Sequence, residues 1–239
     1  MATPSHAHHR PSPPEPRWPV LLALLAVCAL YLALPERLTL GPNWLLLIPV
    51  GLLLLPTIVT HRLRLDRLNR RLGLALSALV TAALTWSMGA LIVSLPSHHQ
   101  TATELLRSAG ALWVSNILVF ATWYWKLDGG GPHARDLRGA HVKGAFLFPQ
   151  MNLQHEGKPW KPGFVDYLFL AFNTSTAFSP TDVAPISGWA KLLMMAQSVL
   201  SLGAIVILAG RAVNMLRAWF HTRCRTGEHL APGGSIISP

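Results

Sequence analysis

Apolar residues fall into five long blocks that are separated by short polar or basic segments. The blocks occupy residues 18–34, 44–60, 72–95, 105–125 and 189–208. Each approaches the roughly 20 residues that an α-helix needs to cross a bilayer. Most of them lack the polar face that a soluble helix shows at 3.6-residue spacing. The pattern predicts an all-α, polytopic membrane helical bundle with five full transmembrane helices.

A sixth apolar block, residues 164–179, is shorter and ends in a polar patch. Its sequence is FVDYLFLAFNTSTAFS. As a helix it would be about 24 Å long, which is less than the ~30 Å hydrocarbon core of a bilayer. Hydroxyl and amide side chains are tolerated at that depth only where they face protein or water. The block therefore either crosses as a sixth span or enters and returns as a short, pore-like helix.

Composition supports a membrane protein with polar ends. The chain is 51% hydrophobic and 13% charged, whereas a soluble domain carries about 25% charged residues. Proline-rich residues 1–17 are predicted to form a disordered tail. Residues 18–220 form the membrane domain, and residues 221–239 form a basic C-terminal tail.

Basic residues predict the orientation in the plasma (inner) membrane. The net charge is +10, and the Lys and Arg residues flank apolar spans, so lipid rather than nucleic acid is the expected partner. With six crossings, all Lys and Arg residues except Arg37, Arg107 and Lys191 fall on one side. The positive-inside rule then makes both termini cytoplasmic. With five crossings, the C-terminal tail lies opposite the N-terminus.

The segment FVDYLFLAFNTSTAFSPTDVAPISGWAKLLMMAQSVLSL resembles the pore module of potassium channels. Those channels place a short pore helix before a Thr-Val-Gly-Tyr-Gly-Asp filter, which a Pro-containing turn and an inner helix follow. The resemblance implies that residues 103–210 form a pore module. It implies a filter-like segment made of Asn173, Thr174, Ser175, Thr176, Ala177, Phe178, Ser179, Thr181 and Asp182.

The filter of this chain departs from the potassium-channel pattern. Ser179 and Thr181 occupy the positions of the two filter glycines, and Pro180 occupies the position of the Tyr. Glycine permits backbone angles that side chains penalise, and proline fixes its own φ. A potassium-selective ring of carbonyls is therefore not expected. The remaining expectation is a homo-oligomer with weak or unselective permeation of monovalent cations. The alternative is a non-conducting scaffold or partner-binding protein that keeps only the channel-like fold.

Other polar residues within the apolar blocks extend this hypothesis. Asn116, Gln197 and Ser201 are candidates for lining a pore, but they would equally suit hydrogen bonds between packed helices. A stripe of small residues in the third block predicts close helix packing: Gly73, Ser77, Thr81, Thr85 and Gly89.

The chain is also similar to an uncharacterised bacterial family of multi-pass membrane proteins. In that family an aromatic-rich FxDYxxxAF segment precedes Thr-Asp-Val, as it does here. No enzyme activity, cofactor or metal site is predicted. Asp166 and Asp182 flank one short helix and would lie about 24 Å apart, too far to share a proton.

Overall fold

The protein is mostly helical. A computed structural model describes residues 15–62, 66–95, 101–138, 144–151, 160–176 and 183–225. The α-helices are α1 (Trp18–Leu32), α2 (Leu47–Arg62), α3 (Asp66–Ser94), α4 (Ala102–Leu127), α5 (Pro132–Arg138), α6 (Phe164–Thr176) and α7 (Gly188–Arg225). Short 3-10 helices occupy Glu36–Leu38, Asp128–Gly130 and Pro149–Met151, and two short strands are β1 (Phe146–Leu147) and β2 (Ala184–Pro185).

Three helices in the described part of the chain are long and apolar enough to cross a membrane. They cover Arg67–Ser94, Ala102–Gly130 and Gly188–Arg211, whereas Trp18–Leu32 and Leu47–Thr57 are shorter apolar helices. The prediction of a mostly helical protein is confirmed, and these three helices fit a membrane protein, but five full spans are not confirmed.

The first two helices are shorter than their apolar blocks because a polar side chain holds the turn between them. The Asn43 amide donates to the carbonyl oxygens of Leu32 (3.2 Å) and Leu34 (2.7 Å). Pro35 disfavours helix at the residue before it. The apolar residues at the edges of both blocks therefore belong to the connection.

Helix α4 lies at the centre and packs against α1, α3, α6 and α7. Lys126 near its end bonds to Gly73 near the start of α3, so these two helices are antiparallel. We call the end of the bundle where α4 finishes the Asp128 end, and the end where α4 begins the Thr101 end.

Helix α6 enters the bundle from the Asp128 end. Near its start, the Tyr167 hydroxyl donates to Asp128 Oδ2 (2.6 Å). Near its finish, the Phe172 ring lies 6.1 Å from the ring of Trp113, which is in the middle of α4. At the same depth, Ser175 contacts Gln197 of α7. Gln197 is about 13 Å along α7 from Gly188.

The described chain that follows α6 is back at the Asp128 end. Strand β2 pairs with β1 in antiparallel register, Phe146 opposite Pro185 and Leu147 opposite Ala184. The Ile186 amide donates to the carbonyl of Ala145 (2.8 Å). Helices α6 and α7 thus both start at the Asp128 end, and the described residues 183–188 lie at the end at which α6 enters.

An aromatic cluster fixes this return. Phe146 is fully buried, and its ring lies 5.2 Å from Tyr124, 6.4 Å from Tyr167 and 6.0 Å from Trp189. The interplanar angles are near perpendicular, the edge-to-face geometry that aromatic pairs favour. One ring thereby joins α4, α6 and α7 at the point where the chain returns.

Large apolar side chains cover much of the outer surface. Trp18 and Leu25 of α1, Leu52 and Leu55 of α2, and Val199 of α7 are all at least 60% exposed. Soluble monomers seldom expose continuous apolar surface of this extent. The surface is suited to contact with lipid or with other subunits.

We predict that Phe146→Ala destabilises the protein by about 3–5 kcal/mol, because it removes a fully buried ring. Thermal unfolding in detergent measures the effect. Leu147→Ala is the matched control, since Leu147 is the next residue of the same strand and is 36% exposed. Equal shifts in the melting temperature for the two variants would contradict the role assigned to the aromatic cluster.

Candidate functional site

The second half of α6 carries the filter-like residues that the structure describes. Asn173, Thr174 and Thr176 are half-buried, and Ser175 is buried. The Thr174 hydroxyl donates to the carbonyl of Leu170 (2.8 Å), and the Thr176 hydroxyl donates to that of Asn173 (3.2 Å). The other predicted filter-like residues, Ala177, Phe178, Ser179, Thr181 and Asp182, lie outside the described residues.

A buried set of polar side chains joins α6 to α4 and α7. We call it the central polar network; its members are Asn116, Tyr124, Ser175, Gln197 and Ser201. The Gln197 amide nitrogen donates to the carbonyl of Ala171 and to Ser175 Oγ, both at 2.7 Å. Its amide oxygen accepts from the Tyr124 hydroxyl. Gln197 therefore contacts both neighbouring helices with one side chain.

Asn116 completes the network on α4. Its amide nitrogen donates to Ser201 Oγ (2.7 Å) and to the Gln197 carbonyl (3.2 Å). Asn116 Oδ1 is buried and has no hydrogen-bond partner within the described ranges. The structure thus brings the three predicted pore-lining residues together and bonds them to one another. That they line a conducting pathway stays a prediction.

The network exists because the interior of the helical bundle offers no water to these polar groups, which are at most 2% exposed in Asn116, Ser175, Gln197 and Ser201. A buried amide or hydroxyl must find a partner inside the protein, or its desolvation is uncompensated. The partners of Gln197 lie on two helices that are separated in sequence by the long connection from Leu127 to Phe164. The network consequently fixes how deeply α6 inserts between α4 and α7.

A second polar set, the Asp128 cluster, holds the return of the chain. It comprises Glu15, Trp125, Asp128, Arg135 and Tyr167. Arg135 donates to the carbonyl oxygens of Trp125 and Asp128 (both 2.8 Å) and forms an ion pair with Glu15 (2.9 Å). The Asp128 carboxylate accepts from Tyr167 and from the backbone amide of Ala145.

The Asp128 cluster is almost fully desolvated. Asp128 is 0% exposed and Arg135 3% exposed, and the guanidinium lies 5.3 Å from the centre of the Tyr167 ring. Pairing and hydrogen bonding offset the desolvation cost of such buried charges, and removing one partner would leave the other uncompensated. Glu15, which the sequence assigns to the disordered tail, is therefore held in place; residues 1–14 lie outside the described ranges.

The small-residue stripe of α3 faces α4 over part of its length. Lys126 Nζ donates to the Gly73 carbonyl and to Ser77 Oγ, both at 2.8 Å. The Trp123 indole donates to the Thr81 hydroxyl at 2.8 Å. A Cβ atom added at Gly89 would have no heavy atom of a neighbouring element within 4 Å. Close packing is thus observed for the first three stripe residues, and the stripe also holds a lysine.

Sequence reasoning missed Tyr124, Asp128, Arg135 and Tyr167. Each lies at a helix end or in the long connection, where a polar residue is ordinary. A signal exists in retrospect: the segment LDGGGPHARD places an acid and a base around three glycines. Gly129, Gly130 and Gly131 all have positive φ, which glycine adopts at little cost. This tight reversal brings Arg135 back over the end of α4.

No protein-family model matches the chain, and neither a curated protein nor a solved structure shows significant similarity to it. The function of the candidate site must therefore be inferred from its geometry.

We predict that Gln197→Met lowers the free energy of unfolding by about 2 kcal/mol, since interhelical hydrogen bonds in membranes average about 0.6 kcal/mol and this side chain makes three. Ser198→Ala is the control, because Ser198 is the next residue along α7 and is exposed. This substitution should change the free energy of unfolding by less than about 0.5 kcal/mol. Unfolding in detergent, followed by circular dichroism, compares the two. A Gln197→Met protein as stable as wild type would contradict the network.

Proposed function

We propose that the protein is a multi-pass protein of the plasma membrane whose α4, α6 and α7 form a re-entrant, channel-like module. In this proposal α1, α2, α3, α4 and α7 cross the bilayer, and α6 enters and returns. The observation that carries the proposal is the pairing of β1 with β2, which places residues before α6 and after it at the same end of the bundle. A short helix that lies between two long helices and enters from one end of the bundle is the arrangement of a pore loop.

The distribution of basic residues supports a cytoplasmic position for the Asp128 end. The arginine-rich connection between α2 and α3 and the long connection between α4 and α6 both belong to this end. Short basic loops remain on the cytoplasmic side of bacterial-type membranes. Five crossings then put the N-terminal tail inside and the C-terminal tail outside. This arrangement replaces the expectation that both termini are cytoplasmic, which requires α6 to cross.

The side chains at the proposed pore mouth favour permeation by cations, without strong selectivity among them. Half-buried Asn173, Thr174 and Thr176 supply neutral oxygens, and Asp182 supplies a carboxylate a few residues further along the sequence. In an oligomer these groups form a ring, and rings of carboxylates attract cations through side chains rather than through a backbone filter.

A stripe along α7 supports assembly into a homo-oligomer. Its apolar residues are 61–71% exposed and follow one another at alternating spacings of three and four: Leu192, Met195, Val199, Leu202 and Val206. This spacing is that of a seam between packed helices. In the proposed oligomer the stripe packs against a second copy of the chain.

A non-conducting scaffold is the second candidate, and the central polar network favours it. Gln197, Ser201 and Ser175 are buried and bonded to neighbours within one chain. A pathway that used these side chains would have to break bonds that the single chain already satisfies. If the protein is a scaffold, α6 serves only to pack against α4 and α7, and the exposed stripe of α7 binds another membrane protein.

Cation flux from reconstituted vesicles distinguishes the two candidates. We expect purified protein to release monovalent cations, and Asp182→Asn to reduce the flux by about tenfold, the lower end of what charge focusing contributes. Glu36→Gln is the control, because Glu36 is exposed at the Thr101 end. Correctly folded, reconstituted protein that passes no cations would overturn the channel proposal and leave the scaffold.

A further inference from the structure

A cavity of about 570 Å³ lies beside α4, away from α6 and α7. Helices α1 and α3 both pack against α4, and the cavity is the space between them, with contributions from α2 and α5. Its inner wall is apolar and includes Leu24, Val27, Leu76, Val80 and Leu118. Its volume is within the range of small-molecule sites in proteins, about 300–1,000 Å³.

The cavity is cationic where it meets the Asp128 end. Arg17, Arg67, Arg70, Lys126 and His133 line it there, and none of the described lining residues is acidic. On α3, Arg70 and Val80 are separated by about 15 Å along the helix. The cavity therefore changes from strongly basic to wholly apolar over roughly half the thickness of a bilayer core.

Lys126 is a basic residue of the cavity wall whose ammonium is held by uncharged groups. It is half-buried, and the acceptors of its ammonium are the Gly73 carbonyl and the Ser77 hydroxyl, both uncharged. These two bonds direct the ammonium into the space between α3 and α4 and use two of its three donors. A cation held away from water gains most from an anionic partner.

We propose that this cavity binds one anionic phospholipid. Its phosphate lies among Arg17, Arg67, Arg70 and Lys126, and one acyl chain lies between α1 and α3. The charge of the cavity mouth complements an anionic headgroup, and the apolar wall matches a chain that points to the bilayer centre. A soluble anion would leave the apolar wall unfilled, and a neutral lipid would bring no net negative charge to the basic mouth. Basic pockets between membrane helices are known to recognise anionic headgroups in this way.

The test uses the full chain, purified from detergent containing equal amounts of phosphatidylglycerol and phosphatidylcholine. Native mass spectrometry counts the lipids that each protein retains. We expect one phosphatidylglycerol to be retained, and phosphatidylcholine to be lost. Inorganic phosphate at the same concentration should not displace the lipid, because it has no chain to fill the apolar wall.

Three variants locate the site. Arg70→Gln and Lys126→Gln should each weaken retention about fivefold, the effect of one basic residue near a lipid headgroup. Leu74→Trp should weaken retention without changing charge, since Leu74 lines the cavity and the larger ring occupies the space for the chain. Arg107→Gln, an exposed arginine at the Thr101 end of α4, should change retention less than twofold.

Two results would overturn the proposal. Equal retention of both lipids would show that charge does not select the occupant. An equal loss in Arg107→Gln and Arg70→Gln would show attraction to the surface as a whole rather than a site. A melting-temperature measurement on each variant separates loss of lipid from loss of fold. The result does not depend on cation flux, so it stands apart from the proposed channel activity.

Discussion

The depth and direction of α6 depend on the hydrogen bonds that one amide, Gln197, makes to two other helices. Gln197 is fully buried and out of reach of solvent, so its amide can be satisfied only by the neighbours that α4 and α6 provide. The Tyr124 hydroxyl of α4 donates to the Gln197 amide oxygen, and the Ala171 carbonyl and the Ser175 hydroxyl of α6 accept from the Gln197 amide nitrogen. With α6 held at that depth, the return of the chain at Phe146 completes a hairpin. The central polar network thus fixes the finish of α6, and the aromatic cluster fixes its start.

Two surfaces of α4 carry separate chemistry. On one side, α6 and α7 enclose the central polar network. Among the described residues, Asn116 Oδ1 is the one buried side-chain atom of this network that has no hydrogen-bond partner. On the other, α1 and α3 leave the basic cavity between them. Lys126 and Trp125 are adjacent in sequence and both line this cavity. Lys126 bonds to Gly73 and Ser77, whereas Trp125 bonds to Glu15 of the Asp128 cluster. A lipid in the cavity would therefore lie close to the Asp128 cluster that anchors the return of the chain.

The helices could be predicted from the sequence, and their connections could not. Apolar blocks located α1, α2 and α4 to within three residues, because burial of apolar side chains imposes one simple pattern. They missed the polar extensions of two helices: α3 starts six residues before its block, and α7 runs 17 residues beyond its block. The shortness of residues 164–179 correctly raised the question of return or crossing. The return of the chain to the Asp128 end of the bundle depends on Phe146 and Asp128, which lie in a glycine- and proline-rich connection without periodicity. Gln197 and Asn116 were visible as unusual polar residues, but their spacing says nothing of whether they face a partner helix or water.

The measurement that tests this account most directly is the sidedness of two residues that flank α6. Single cysteines at Leu137, which is 76% exposed, and at Ile186, which is 59% exposed, are placed in a chain without Cys28 and Cys224. Intact cells are then treated with a thiol reagent that does not cross membranes, with Leu40→Cys as the marker of the opposite end. The account predicts that Leu137→Cys and Ile186→Cys react alike, and that Leu40→Cys reacts from the other side. Reaction of Ile186→Cys together with Leu40→Cys would mean that α6 crosses the membrane, and would contradict the re-entrant fold.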